Sequence, residues 1–165
     1  MEFKNKAVFF DRDGVININK HYGYEVSEFE FVDGIFQIMD YFQKDYLIII
    51  VTNQSGIARG YFTHDDLNKL HLWMKNIFKE KGIKIQEIYY CPHHPEFNED
   101  CFCRKPKPGM ILSAIEKYNI NINDSILIGD SNSDIKAGEN AGISKLIKVK
   151  PNDLSLVKKY IKDEN

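Results

Sequence analysis

Short apolar runs separated by amphipathic stretches set the pattern of this chain. Ala7-Val8-Phe9-Phe10 and Leu47-Ile48-Ile49-Ile50-Val51 are apolar without alternation. That is the pattern of strands covered on both faces. Ile85 to Tyr90, Ser125 to Gly129 and Leu146 to Val149 fit three more strands. Between them, apolar positions fall at helical spacing. Ile35, Phe36, Ile38, Met39 and Phe42 follow Asp33, read here as an N-cap. Thr63 and Asp66 make a capping box ahead of Leu67, Leu70, Met74, Ile77 and Phe78, and Gly82 suits the stop. Pro108-Gly109 opens a helix carrying Ile111, Leu112, Ile115 and Tyr118. Two more helices are expected over 133–140 and 154–161. Strands alternating with helices predict an α/β fold: a mostly parallel five-stranded sheet with helices on both faces. The linkers are short except at 14–32 and 91–107, and long loops in a compact domain are usually functional or metal-stapled.

Length and charge narrow the function classes. The chain has 165 residues, which fits one domain over 1–165 and leaves no room for a separate cap domain. A formal net charge of −2 gives no basic stripe for nucleic acid or an anionic membrane. The basic feature is local: Arg104-Lys105-Pro106-Lys107. No apolar run reaches membrane-spanning length. Met1-Glu2-Phe3-Lys4-Asn5-Lys6 lacks the parts of a signal peptide, so a cytoplasmic location is expected.

In an open α/β sheet, ligands bind beyond the carboxyl ends of the strands. Three polar clusters sit at such ends: Asp11-Arg12-Asp13-Gly14, Thr52-Asn53-Gln54-Ser55, and Asp130 with Asp134. Asp11 could attack phosphorus and form an acyl phosphate, splitting one hard displacement into two easier ones. Asp13 could protonate the leaving alkoxide and then take a proton from water. Magnesium on Asp11, Asp130 and the backbone carbonyl of Asp13 would cancel the repulsion between carboxylate and phosphate. Thr52 offers a hydroxyl to the phosphoryl oxygens, and Lys105 the positive charge that phosphoryl transfer needs. Each feature alone has an ordinary reading as a cap, a turn or a solvated side chain. Their order on the right elements is what carries the argument.

The loop between Cys91 and Lys105 holds a second constellation. All three cysteines, Cys91, Cys101 and Cys103, fall within thirteen positions. An odd count makes a poor disulfide framework. Cys91-x-His93 with Cys101-x-Cys103 makes a Cys₃His set, which suits structural zinc and leaves no open position for catalysis. His94 is the alternative to His93, although one residue between ligands matches the second pair better. The loop ends on Arg104-Lys105, so zinc would hold those cations over the phosphate site.

The ordered set Asp-x-Asp-Gly, Thr-Asn, Lys-Pro and Gly-Asp-x-x-x-Asp resembles the four motifs of haloacid dehalogenase (HAD) phosphatases, with their Rossmann-like fold. The zinc loop resembles the branch holding heptose bisphosphate phosphatases and the histidinol-phosphate phosphatase domain. Phe29-Glu30-Phe31, the run from Val51 to Gly60, Tyr89 to Pro95 and Cys103 to Pro106 are most similar to the heptose enzymes. The resemblance runs from about Ala7 to Val149. It implies a capless magnesium phosphatase acting on a small phosphorylated sugar, and a monomer is expected. It implies Arg104 in substrate recognition, Thr52 and Lys105 on the phosphoryl group, and substrate contacts from Asn19, Lys20, His21 and Tyr22. With Asn53, Gln54 and Ser55 these form the expected substrate site. Two positions depart from the family pattern: Asn19-Lys20-His21-Tyr22 replaces Asp-His-Gly-Tyr, and Ser131 stands where a lysine commonly follows Gly-Asp. Both departures bear on substrate and anomer preference. A histidinol-phosphate phosphatase would use the same chemistry on another leaving group. A phosphoacceptor signalling domain would use a similar aspartate, magnesium and lysine, but it benefits from a long-lived acyl phosphate, which Asp13 works against.

Overall fold

The computed structural model describes residues 5–164. The start read above as unlike a signal peptide, Met1 to Lys4, lies outside the described residues, as does Asn165. Five strands form one fully parallel sheet: β1 (Ala7–Phe10), β2 (Leu47–Asn53), β3 (Glu87–Cys91), β4 (Ile126–Gly129) and β5 (Lys145–Lys148). Their order is β3-β2-β1-β4-β5, so the winding reverses at β1 and the crevice at its carboxyl end is the expected ligand position.

The lack of alternation in β1 and β2 has the predicted cause, because both faces of the sheet are covered. Val8, Phe10, Ile48 and Ile50 pack into one layer with α1 (Ile35–Gln43), α2 (His64–Glu80) and α5 (Ser155–Glu164). Ala7, Phe9, Ile49 and Val51 pack into the other with α3 (Gly109–Tyr118) and α4 (Asn132–Ala141). All four residues of β1 are fully buried. Removing a large side chain here would cost about 2–5 kcal/mol. No second sheet accompanies this one among the described residues. No helix among them is long and apolar enough to cross a membrane.

Local signals decide most element ends. The Thr63/Asp66 capping box starts α2 as expected, and Gly82 is left-handed at its end (φ 76°). Ser131 and Asp134 form a second capping box on α4. Asp33 is a correction. The residue capping α1 is Gly34 in a left-handed conformation (φ 90°), with no side-chain cap, and the Asp33 carboxylate instead accepts from Lys158 Nζ at 2.7 Å. The third strand also starts later than its apolar pattern suggests. Ile85 is buried, but pairing with β2 begins at Glu87 opposite Ile49.

Candidate active site and metal centre

β1, β2 and β4 end side by side, and polar residues at and beyond those ends, Thr52 and Asn53 still within β2, line one open cleft of about 300 Å³. Its walls include Asp11, Asp13, Asn19, His21, Tyr22, Thr52, Asn53, Gln54, Ser55, Lys105, Asp130 and Asp134. Most of the residues proposed from sequence are therefore brought together. Two expected substrate residues do not line this cleft. Lys20 turns away and meets Glu30 at 3.5 Å, and Arg104 lines a neighbouring cleft and donates to the His93 carbonyl at 3.2 Å. Backbone geometry separates Lys20 from its neighbours, because His21 and Tyr22 both adopt positive φ (47° and 64°). The Asn152 side chain pins the same loop, accepting from the Asn19 backbone N–H at 2.9 Å.

Lys105 is the centre of the charge arrangement. Its ammonium is buried and donates to Asp11 Oδ1 (2.9 Å), Asp134 Oδ1 (2.5 Å) and the Val51 carbonyl (2.9 Å). Burial disfavours its charge, but Asp11 and Asp134 outweigh that and hold it protonated. Asn53 clasps the Lys105 backbone from both sides, accepting from its N–H (3.0 Å) and donating to its carbonyl (3.2 Å). Asp134 in turn accepts from the Asp130 and Ser131 backbone N–H groups, both at 3.1 Å. Burial alone would raise its pKa, but Lys105 and the hydrogen bonds from Ser131 lower it.

Asp11, Asp130 and Asp134 each bring a carboxylate oxygen within 4.8 Å of the others. Burial pushes the Asp11 carboxyl well above its ordinary range, with the Asp134 charge adding to burial and Lys105 opposing it. Asp130 is raised by burial and by Asp134. Three carboxylates thus face one ammonium, and the uncompensated charge with its oxygen donors fits a divalent hard cation. Gly14 lets the chain pass, since a Cβ there would stand 2.1 Å from Asp130 Oδ2, and its φ is 87°.

Asp13 has a different surrounding. Its Oδ1 accepts from Arg12 Nε (3.3 Å), Arg12 Nη2 (2.8 Å) and Asn17 Nδ2 (2.9 Å), while Oδ2 accepts from Gln54 Nε2 (2.9 Å). Burial raises its pKa, but Arg12, Asn17 and Gln54 together lower it below the usual carboxylate value. Gln54 also donates to Thr52 Oγ1 at 3.0 Å, joining the ends of β1 and β2.

Beside the cleft, Cys91, His93, Cys101 and Cys103 bring one ligand atom each within 4.8 Å of the others. Cys91 Sγ lies 3.8 Å from Cys101 Sγ, and His93 Nδ1 lies 3.4 and 3.3 Å from Cys91 Sγ and Cys103 Sγ. A tetrahedron with Zn–S bonds of ~2.3 Å has sulfur–sulfur edges of ~3.8 Å, so a zinc ion fits this set. His94 is used elsewhere: its Nε2 meets Arg59 Nη2 at 3.1 Å and its Nδ1 accepts from the Glu96 N–H at 3.2 Å. The cluster could hold zinc, with His93 in place.

Sequence reasoning missed Arg12, Asn17 and His71 behind Asp13, and Asp134 as the partner of Lys105. Only Asp134 left a signal, through its spacing from Asp130.

Comparison with known proteins follows the same lines. Residues 102–149 match the family model described as HAD-hydrolase-like. The chain is 52% identical over 147 residues to D-glycero-alpha-D-manno-heptose-1,7-bisphosphate 7-phosphatase of Campylobacter jejuni, covering 88% of this chain and 83% of that protein. It is 45% identical over 150 residues to D-glycero-beta-D-manno-heptose-1,7-bisphosphate 7-phosphatase of Pasteurella multocida, covering 88% and 82%. The crystal structure of D,D-heptose 1,7-bisphosphate phosphatase from B. bronchiseptica, complexed with magnesium and phosphate, superposes with a TM-score of 0.79 at 26% identity. It covers 96% of this chain and 99% of that one. The chain belongs to the HAD-like hydrolases and, within them, to the family of the heptose-1,7-bisphosphate 7-phosphatases.

Proposed function

We propose that this chain hydrolyses the 7-phosphate of D-glycero-D-manno-heptose 1,7-bisphosphate through an acyl phosphate on Asp11. One observation carries the reaction type: Asp11 and Asp13 open on one cleft, but only Asp11 touches the buried ammonium of Lys105. Two carboxylates two residues apart are thereby given unlike surroundings, and such pairs divide nucleophile from acid/base.

Asp11 attacks phosphorus, and the P–O bond to the sugar breaks. Lys105 and Thr52 face the phosphoryl oxygens as charge develops on them. Magnesium held by Asp11, Asp130 and the Asp13 carbonyl, with Asp134 at hand, would shield the phosphoryl charge and polarise its oxygens. Asp13 delivers a proton to the leaving alkoxide. Arg12, Asn17 and Gln54 hold its carboxyl below the ordinary carboxylate range, so it needs a proton source. A phosphate monoester, with its second pKa near ~6, can bring one. Asp13 then takes a proton from the water that attacks the acyl phosphate, and inorganic phosphate leaves. Oδ2 has a single donor, so it is the oxygen with lone pairs left for this work.

Zinc on Cys91, His93, Cys101 and Cys103 serves structure. Burial raises the Cys91 thiol well above its ordinary range, so a thiolate there needs a cation beside it. The ion would anchor the loop that delivers Lys105 to the cleft. Asn19, His21 and Tyr22 on one side and Asn53, Gln54 and Ser55 on the other are the sugar-facing candidates. Arg104 and Lys20 would reach a substrate only beyond the cleft lining. The relatives divide between the two anomers, so the test is phosphate release from a panel. It holds both anomers of the heptose bisphosphate, histidinol phosphate and simple sugar phosphates. The expected result is kcat/KM at least ~10²-fold higher on one heptose anomer than on any other compound. A preference for histidinol phosphate would overturn the substrate.

A further inference from the structure

Arg12 is a guanidinium with 1% of its surface exposed, one residue from the nucleophile. It uses Nε and Nη2 on Asp13 Oδ1, and its third nitrogen, Nη1, lies 3.0 Å from Nε2 of His71 in the middle of α2. Arginine has no acceptor, so this contact exists only if His71 is the acceptor. His71 is therefore neutral, with its proton on Nδ1. It is itself buried, 6% exposed, and its ring packs edge-on against Tyr90 of β3 at 5.9 Å. The Arg12 face stacks toward Phe29 at 6.0 Å. The guanidinium is thus held from three directions, and its plane is fixed. That plane determines which oxygen of Asp13 is saturated with donors and which is left with one.

We infer that His71 is a positioning residue for the acid/base carboxylate: by accepting from Arg12 Nη1 it locks the guanidinium that aims Asp13. The inference rests on the reading of Asp13 as acid/base. Removing the acceptor leaves a buried Nη1–H without a partner, and the guanidinium turns to recover one. Asp13 Oδ1 then loses its paired donors and the carboxylate rotates. Nothing in this chain of contacts touches Lys105, whose partners are Asp11, Asp134 and the Val51 carbonyl. Nucleophilic attack is spared while proton delivery suffers.

The test compares an alkyl phosphate, the preferred sugar phosphate, with an aryl phosphate whose leaving group needs no proton. His71→Leu should lower kcat/KM, which reports steps through formation of the acyl phosphate and not its hydrolysis, by ~10–100-fold on the sugar phosphate, the cost of misplacing a catalytic group by about 1 Å. On the aryl phosphate the loss in kcat/KM should stay within ~3-fold, because the leaving group needs no proton and the later hydrolysis does not enter that ratio. His71→Gln carries an amide oxygen where Nε2 stands and should restore most of the rate. Where His71→Leu fails to fold, His71→Ala removes the acceptor without added bulk and should show the same selectivity. Asp13→Asn is run beside them. If Asp13→Asn is selective for the alkyl leaving group and the apolar His71 variants are not, the inference is overturned and the acid/base reading stands. If Asp13→Asn itself loses kcat/KM equally on both substrates, the acid/base reading falls and the inference with it.

Discussion

Two clusters capable of holding metal lie side by side on the same rim, and they are built on opposite principles. The first, Asp11 with Asp130 and Asp134, is all oxygen, opens on the cleft, and includes charges that no protein group cancels. The second, Cys91, His93, Cys101 and Cys103, is sulfur and nitrogen and is complete at four ligands. Hard oxygen donors with an open side suit an ion that must meet a substrate, and a closed soft set suits an ion that only holds chain together. Lys105 links the two: it leaves the Cys/His loop two residues after Cys103 and ends between Asp11 and Asp134. A zinc ion on one side would therefore stiffen the segment that carries the charge on the other.

The largest expected effect lies on the oxygen side. Asp11→Asn should lower turnover by at least ~10⁴-fold, since a carboxamide does not attack phosphorus. The fold should survive. Burial, with Asp134 adding, raises the Asp11 pKa in the folded chain, so the ionised form weakens the fold as pH rises through that pKa. Removing the charge should leave Tm at pH 7 in magnesium-free buffer equal to wild type or higher. Lys105 retains Asp134 as its counter-ion. Activity assay and thermal melting on one preparation check both halves. Substantial turnover would remove Asp11 from the role of nucleophile, and a fall in Tm of several degrees would show that its ion pair with Lys105 outweighs the cost of burying its charge.

The contrast also explains what could be read in advance. β1, β2 and β4 were legible because strands buried on both faces must be apolar throughout, and their ends then locate Asp11, Thr52 and Asp130. The Cys₃His spacing was legible because metal geometry demands close pairs. Contacts made across the chain leave no such trace. His71 reaches Arg12 over 59 positions, and Lys105 reaches Asp134 over 29. In a helical pattern His71 is one more position on the buried face of α2. Asp33 misled for a related reason: a helix start after Asp-Gly allows either residue to cap, and the left-handed glycine took the place. Lys20 was grouped with its neighbours by adjacency, whereas positive φ at His21 and Tyr22 turns the chain at that point.

A smaller effect is expected on the sulfur side. Cys103→Ser should drop zinc below one ion per chain and open residues 91–107 to protease. Activity should fall by ~10–100-fold without being abolished. Lys105 is still clasped by Asn53 through both backbone hydrogen bonds and still drawn to two carboxylates, so its placement loosens more than it fails. Magnesium should still be required. Metal analysis, limited proteolysis and assay together decide it. A native protein purified without chelator and lacking zinc would sink the assignment, as would a variant with intact loop protection and full turnover.

The smallest effect separates the two adjacent histidines and sharpens the boundary of the closed set. His94→Ala should leave zinc content at the wild-type level, whereas His93→Ala should lower it as Cys103→Ser does. The reason is geometric. Only His93 Nδ1 lies near both Cys91 and Cys103, while both nitrogens of His94 are occupied, by Arg59 and by the Glu96 backbone. His94→Ala still removes a partner from Arg59, whose guanidinium lies over Tyr22 and Phe97, each at 5.6 Å. Those ring contacts remain, so the expected loss of stability is about 1–3 kcal/mol, the usual net worth of two hydrogen bonds. Turnover should change by less than ~3-fold, because no contact of His94 reaches Lys105. Zinc loss in His94→Ala equal to that in His93→Ala would mean that the set is not closed at four, and the division between an open oxygen site and a closed sulfur site would have to be redrawn.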